Sequence, residues 1–543
     1  MAQVPATLSV LRTRGGLRRM LIAYGVYDLV DMAIWIAIIF YAYDVGGVSL
    51  VGIVAVVQLL PAAFIGPLLV GLGDRLPRGT TLVLSHAGVA VATFATTIAI
   101  LASAPVPVVV TCSALATIAV AVVRPFHFAS IPMLSRTPAD LVSANSLSSM
   151  ADGFSMFLGP VAAGIGAALA GPALVLSVSS VLAVVATLLC LGLRLGPAAP
   201  FDAAEAPSWR AAFGGLGTLW RDWGALALLL VLTTRFVLGG ATDVLGVAYS
   251  DEVLGLGESG AGLIIGAIGI GGILGGAIAG SLALRNRLAP VLVAGGVVQG
   301  VAFAAVVLIV VLAPAMVALA VSGMAAAVMM VAGRTLLQRT SDEAMLARVF
   351  AVQEGTSLLG VAVGAIIAPV LIDRLSPAAA FVPFGVAAAL LTLACFPLLR
   401  RLDVRAVLRP HESALLRSIP FLDALPTYEL EQLSRRAEWL DAPAGQVVIT
   451  QGDVGDRFYV IAEGQFAVSI DGVRRPGELG PGMGFGEIAL LHAVPRTATV
   501  TADTNGRLLT VLGDDFLAAV TGSPDGHAVA REVSRAHLER DRD

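Results

Sequence analysis

The sequence predicts a mostly α-helical membrane protein of about twelve transmembrane helices in two six-helix halves, followed by a separate, more polar domain. Three observations carry this. The 543 residues are 57% hydrophobic and only 13% charged, with mean hydropathy +0.88, a balance that no soluble core needs. Apolar runs near the roughly 20 residues that cross the hydrocarbon recur from Met20 to Leu399. Features also recur at a fixed offset. Arg75 and Arg285 lie 210 positions apart, as do Arg124 and Arg334, and Pro160 of a Gly-Pro-Val has its counterpart 209 positions on, Pro369 of an Ala-Pro-Val. Such an offset reads as two halves related as parallel repeats, with a substrate site between them near mid-membrane.

The runs fall at 20–43, 48–72, 80–103, 106–132, 143–170, 172–193, 224–248, 259–284, 288–313, 314–337, 350–372 and 378–399. The first is long and carries acids, so it reads as a retained helix and not a cleavable leader. The chain contains no Lys, and only Arg reports orientation. Arg12, Arg14, Arg18 and Arg19 precede the first run, and the even-numbered loops hold Arg75, Arg78, Arg136, Arg194, Arg210, Arg221, Arg285, Arg287, Arg339 and Arg348. Arg400, Arg401, Arg405 and Arg409 follow the last run; of the opposite loops only one has an arginine, Arg374. Both ends are therefore expected in the cytoplasm, the protein being multi-pass in the cell (inner or plasma) membrane.

Cys112, Cys190 and Cys395 all lie in predicted spans, which leaves neither a disulfide framework nor a metal site. The net charge of −4 is segregated by compartment and identifies no partner.

The loop after the second run reads GLGDRLPRGT, residues 71–80. With twelve spans and a central charged loop, it resembles motif A of the major facilitator superfamily. The resemblance implies a cytoplasmic gate at Asp74, Arg75 and Arg78, with the Asp capping a helix end of the other half. One departure is that Val70 stands where the family has its leading Gly, and Gly71 comes one place late. Residues 124–164, from Arg124 through Ala144-Asn145 to Gly159-Pro160, resemble the exporter branch related to siderophore and macrolide efflux proteins. Lysophospholipid transporters have a similar pattern, so the implied cargo is small-molecule or lipid-like.

Charges inside spans cost about 2.5–3.5 kcal/mol each at mid-membrane on insertion scales, so they are expected to face one another or a cavity. They are Asp28 and Asp31, three apart on one helix face, Arg124, Asp152, Arg235, Asp243, Arg334 and Glu354, with His127 close to Arg124. Carboxylates in an apolar cavity are groups through which a proton gradient could be harnessed. Arg124, Asp152, Arg334 and Glu354 have a second reading, as locks between helices near the cytoplasmic ends. Gly272, Gly276 and Gly280 of the eighth run are explained by close helix packing.

The expected domains are a first half at 1–195, a central cytoplasmic linker at 196–223, a second half at 224–399, a short basic tether at 400–414 and a terminal domain at 415–543. The linker has Trp209, Trp220 and Trp223, and its second part is suited to lie flat at the interface.

Within the terminal domain, GFGEIALLHAVPRTATV, residues 484–500, combines a glycine turn, a carboxylate, a short helical turn and an arginine leading into an alternating strand. Backbone N–H groups at a helix start together with a guanidinium fork suit a small anion. The stretch resembles the phosphate-binding cassette of cyclic nucleotide-binding domains, and the resemblance extends over roughly Leu415–Leu538. It implies a β-roll with flanking helices that binds cAMP, or possibly cGMP, as regulatory ligand. By that pattern Arg496 pairs with the cyclic phosphate and Glu487 accepts from the ribose 2′-hydroxyl. Phe485-Gly486 form the turn, the N–H groups of Ile488 and Ala489 cap the phosphate, and Thr497 and Ala498 lie beside it.

The tail after the β-roll leaves room for a lid helix but none for a DNA-reading module, so no nucleic acid partner is expected. Among catalytic constellations, no nucleophile–base pair or triphosphate loop is present, and no enzyme activity is expected. The predicted function is a secondary active transporter, proton-coupled, in contact with membrane lipids and regulated by cyclic nucleotide. The alternative from another class is a transport-inactive membrane receptor or scaffold that senses the nucleotide.

Overall fold

A computed structural model describes residues 15–73, 76–135, 138–193, 195, 222–256, 259–282, 287–341, 343–405, 409–423, 425, 427–492 and 494–522. The chain divides into two compact units, Met1–Leu134 with Pro138–Val407 and, in the main, Leu408–Asp543.

Among the described residues of the first unit, eleven helices are long and apolar enough to cross a membrane, and one of them, Asp140–Cys190, has 51 residues. That length is more than twice what a bilayer needs, and the backbone leaves the helical region at Ala170 and Gly171, where Gly171 takes a φ of 76°. The break lies where the runs 143–170 and 172–193 meet, so the unit holds the twelve expected spans. A second break, at Gly47 with φ 66°, separates spans 1 (Gly15–Gly47) and 2 (Leu50–Gly71). Spans 3 and 4 are Arg78–Leu101 and Val106–Leu134, and spans 5 and 6 are the two parts of Asp140–Cys190. Spans 7 to 12 are Trp223–Val253, Gly262–Leu282, Ala289–Leu308, Leu312–Thr340, Met345–Arg374 and Phe381–Val404.

Polar side chains satisfy three of the helix ends. Asp222 accepts from Gly224 N at 2.9 Å at the start of span 7, and buried Asp403 of span 12 accepts from Leu288 N and Ala289 N at 2.9 and 3.1 Å at the start of span 9. Arg19 of span 1 donates through Nε to Leu189 O at 3.1 Å, adding positive charge where the carbonyls ending span 6 are unsatisfied. The outer faces carry exposed Val91, Leu169 and Ile366, as lipid-facing surfaces do.

The halves meet through residues too small to hold the backbones apart. A Cβ on Gly153 of span 5 would lie 2.7 Å from Ile273 N and 2.8 Å from Gly269 O of span 8, and one on Gly276 would lie 2.6 Å from Met150. Close packing thus accounts for Gly272 and Gly276, the former facing Gly153 Cα.

The second unit opens with helices Pro410–Arg417, Pro420–Asp423 and Thr427–Arg436. Eight strands follow: β1 Glu438–Ala442, β2 Val447–Ile449, β3 Arg457–Glu463, β4 Phe466–Ile470, β5 Val473–Leu479, β6 Gly484–Phe485, β7 Thr499–Ala502 and β8 Gly506–Leu512. They form two four-stranded antiparallel sheets, ordered β1-β8-β3-β6 and β2-β7-β4-β5. Phe421, Phe458 and Phe516 pack the helices onto one sheet, and Phe466, Phe485 and Val500 fill the space between sheets. The alternation expected at Ala498–Val500 is the start of β7, where Val500 and Ala502 are buried and Thr499 and Thr501 half-buried.

Candidate functional site

A cavity of about 250 Å³ in the first unit is walled by both halves. Asp28 and Asp31 (span 1), Arg124 (span 4), Asp152 (span 5), Arg235 and Asp243 (span 7), Arg334 (span 10) and Glu354 (span 11) all line it. The sequence left Arg124, Asp152, Arg334 and Glu354 open between cavity and lock; here they face the cavity, and three of them also bridge helices. Arg124 Nη2 donates to Asp28 Oδ1 at 2.5 Å and to Asp31 Oδ2 at 3.1 Å. Arg334 Nη1 donates to Asp152 Oδ2 at 3.1 Å while Tyr24 OH donates to Asp152 Oδ1 at 2.7 Å. The Arg334 guanidinium also lies 3.9 Å from the centre of the Phe128 ring.

His127 does not line this cavity. One turn beyond Arg124 on span 4 the bundle has closed, and the ring is buried, stacked on Tyr24 at 4.0 Å with Nε2 2.9 Å from Ser148 Oγ. Asp74 and Arg75 of the gate motif lie outside the described residues; Arg78 is buried at the start of span 3.

Sequence reasoning missed a second, uncharged constellation. Asn145 of span 5 donates to Thr335 Oγ1 at 3.1 Å and to Gln338 Oε1 at 2.5 Å on span 10, and Gln338 Nε2 donates to Phe128 O of span 4 at 2.9 Å. All four residues are buried. They lie on the side of the cavity toward Leu134, Asp140 and Thr340, and there they tie the halves together. An uncharged amide in a small-residue run gives no signal in sequence, and Asn145 had registered only as part of a subfamily pattern.

In the second unit, a cavity of about 490 Å³ is lined by Phe485, Gly486, Glu487, Ile488, Ala489, Arg496, Thr497 and Ala498, the eight residues expected at the anion site. Its geometry begins at Gly486, whose φ of 94° turns the chain from β6 into the short helix Glu487–His492. Arg496 is 3% exposed. Its Nη1 donates to Gly486 O at 2.9 Å and its Nη2 to Arg457 O at 2.7 Å, with Asp456 Oδ1 3.6 Å from Nη2. Its backbone is held as well: Arg496 N donates to Asp453 O and Gly452 N to Arg496 O, both at 2.8 Å. The fork is therefore fixed before any ligand arrives, which removes an ordering cost from binding.

Phe485 stacks on Tyr459 with ring centres 5.0 Å apart. Burial raises the Tyr459 phenol above its ordinary range, and the hydrogen bond that Arg457 donates to Glu438 raises the Arg457 guanidinium. Glu487 is buried at the helix start. The lining also includes Val500 of the expected strand and, not singled out in the sequence, Ile449, Val468 and Leu479 with Arg475 of β5. Apolar strand residues of this kind are indistinguishable from core in a sequence.

A Cβ at position 486 would lie 2.6 Å from Arg496 Nη1, on a backbone that L-residues rarely adopt. Gly486→Ala is accordingly expected to lower anion affinity by about tenfold or more without unfolding the domain, measured by calorimetry and circular dichroism.

The comparisons with known proteins identify both domains. A family model described as Major Facilitator Superfamily matches residues 20–317 and 231–440, and one described as Cyclic nucleotide-binding domain matches 440–522. A cAMP-dependent protein kinase regulatory subunit of Eremothecium gossypii is 44% identical over 96 residues, which are 18% of this chain and 21% of that one. A cyclic nucleotide-gated potassium channel of Rhizobium etli is 35% identical over 126 residues, 23% of this chain and 34% of that one. The chain thus spans between about a fifth and a third of the length of these curated relatives. Among solved structures, the human organic anion transporter MFSD10 (TETRAN) superposes with a TM-score of 0.57 at 15% identity, covering 70% of this chain and 99% of that one, a likeness of fold alone. The chain belongs to the major facilitator superfamily and carries a cyclic nucleotide-binding domain after its transporter body.

Proposed function

We propose that this protein is a secondary active transporter whose cargo occupies the cavity between the halves and whose conformational balance is set by cyclic nucleotide, cAMP foremost, at Arg496. The observation that carries the transport part is that all eight charged residues expected within the spans converge on one cavity walled by both halves. Pairing between helices accounts for Asp28, Asp31, Arg124, Asp152 and Arg334 but not for Arg235, Asp243 and Glu354, and gathering all eight around an open volume is what a moving polar cargo or proton needs. Asp28, Asp31, Asp152, Asp243 and Glu354 are the candidates for proton coupling. The second pocket supports the regulatory part: a ligand that binds one carrier conformation better than the other shifts the balance by that difference and no more.

The arginine distribution supports an orientation with both termini in the cytoplasm, which exposes the nucleotide domain to the messenger pool. On that orientation the Asn145, Thr335, Gln338 and Phe128 network closes the cytoplasmic side, and this conformer is outward-facing. Asn145→Ala should release that closure by about 1–2 kcal/mol, moving the populations five- to thirtyfold toward the inward-open form. Spin labels on the exposed residues Leu101 and Val311, at the opposite end of the two halves, report it as a shortened distance. A distance distribution unchanged from wild type would remove the network from the gating account.

A further inference from the structure

Among the described residues, eight charged groups face the cavity of the first unit, and they do not cancel. Five are carboxylates and three are guanidinium groups. Arg124 is taken by Asp28 and Asp31, and Arg334 by Asp152. Among the described residues, Asp243 and Glu354 take part in no hydrogen bond or ion pair; Arg235 lies with its guanidinium 5.1 Å from the Phe236 ring centre. On span 7, Asp243 is eight residues beyond Arg235, roughly 12 Å along a helix, too far for a contact between them. The rest of the wall is apolar, with Trp35, Met32 and Leu358 lining the same volume.

We infer that the cargo is an amphipathic organic cation, held by Asp243 and Glu354 and laid against the Trp35 side of the cavity. The inference rests on the carrier reading above and narrows it to a substrate class. A formal excess of two negative charges in a low-dielectric cavity disfavours an anion of the same shape, because the like-charge cost is largest where water is scarce. An onium group satisfies a carboxylate electrostatically and needs no hydrogen-bond geometry, and an indole face adds cation–π attraction. The carboxylates without a hydrogen bond or ion pair thus lie on spans 7 and 11 of the second half, while the first-half acids are bonded to Arg124 and Arg334.

The test uses the full-length protein in nanodiscs and three probes of one aromatic ring each: benzyltrimethylammonium, neutral tert-butylbenzene and benzenesulfonate, followed by saturation-transfer NMR titration. The expected order has the cation at least about tenfold tighter than the other two. Asp243→Asn and Glu354→Gln should each weaken the cation about fivefold or more while leaving tert-butylbenzene binding unchanged, which shows that the cavity is still formed. Equal binding of cation and neutral probe, or cation affinity untouched by both substitutions, overturns the inference. Tighter binding of benzenesulfonate, lost in Arg235→Ala, also overturns it but leaves the carrier reading standing. If none of the probes binds, the cation assignment fails, and the carrier reading is judged separately by whether the Leu101–Val311 distances of the wild-type protein divide between a long and a short population.

Discussion

Replacing Arg496 by Ala is expected to weaken cyclic nucleotide binding by roughly a hundredfold or more. Truncating one partner of a buried, hydrogen-bonded charge pair costs about 2–5 kcal/mol, and the lower bound alone is about thirtyfold. The guanidinium is 3% exposed and held by Gly486 O and Arg457 O, so its position does not depend on the ligand. Those same bonds mean that the Ala variant also loosens the turn after β6. Arg496→Lys separates the two effects: it keeps the charge but loses the planar fork, and an intermediate affinity is expected. Calorimetry on the full chain measures both. Affinity in Arg496→Ala equal to wild type would remove this residue from the site.

The second large effect belongs to the membrane body. Arg124→Ala leaves Asp28, 2% exposed, without its cation, and isolating a buried charge in this way costs about 3–5 kcal/mol. The apparent melting temperature in detergent should fall by several degrees, together with the yield of folded protein. Adding Asp28→Asn removes the stranded charge and should recover much of the loss, so the double variant is expected to be more stable than Arg124→Ala alone. Additive losses would show that the pair is not coupled. The Arg334–Asp152 pair is a weaker test, because Tyr24 also bonds Asp152 and would continue to satisfy one oxygen.

Much of this was legible in the sequence, for physical reasons that differ between the parts. Spans announce themselves because the hydrocarbon admits little but apolar helix, and even the breaks at Gly47 and Gly171 fall between the apolar runs. That residues 485–489 and 496–498 share one cavity was legible because they are close in sequence and several are of distinctive type. The cavity was half legible. Intramembrane charge is expensive enough to mark Asp28 or Glu354, but periodicity cannot say which charges share a volume, since that depends on how the halves pack.

What stayed hidden is instructive. Asn145, Thr335 and Gln338 are ordinary polar residues whose importance arises only from a contact across 190 or more positions. His127 was expected beside Arg124 on spacing alone, yet one helical turn separates the open cavity from the closed aromatic core. The repeat at 210 positions relates Arg124 to Arg334, and the structure gives both the same task of neutralising first-half acids, Asp28 with Asp31 in one case and Asp152 in the other.

The central claim is that cyclic nucleotide changes the balance between the two open forms of the carrier, and one distance measurement tests it without knowledge of the cargo. Full-length protein lacking Cys112, Cys190 and Cys395, spin-labelled at positions 101 and 311 in nanodiscs, is compared with and without saturating cAMP. A redistribution between a long and a short distance is expected on adding cAMP, absent in Arg496→Ala. Identical distributions with cAMP shown by calorimetry to be bound would contradict it.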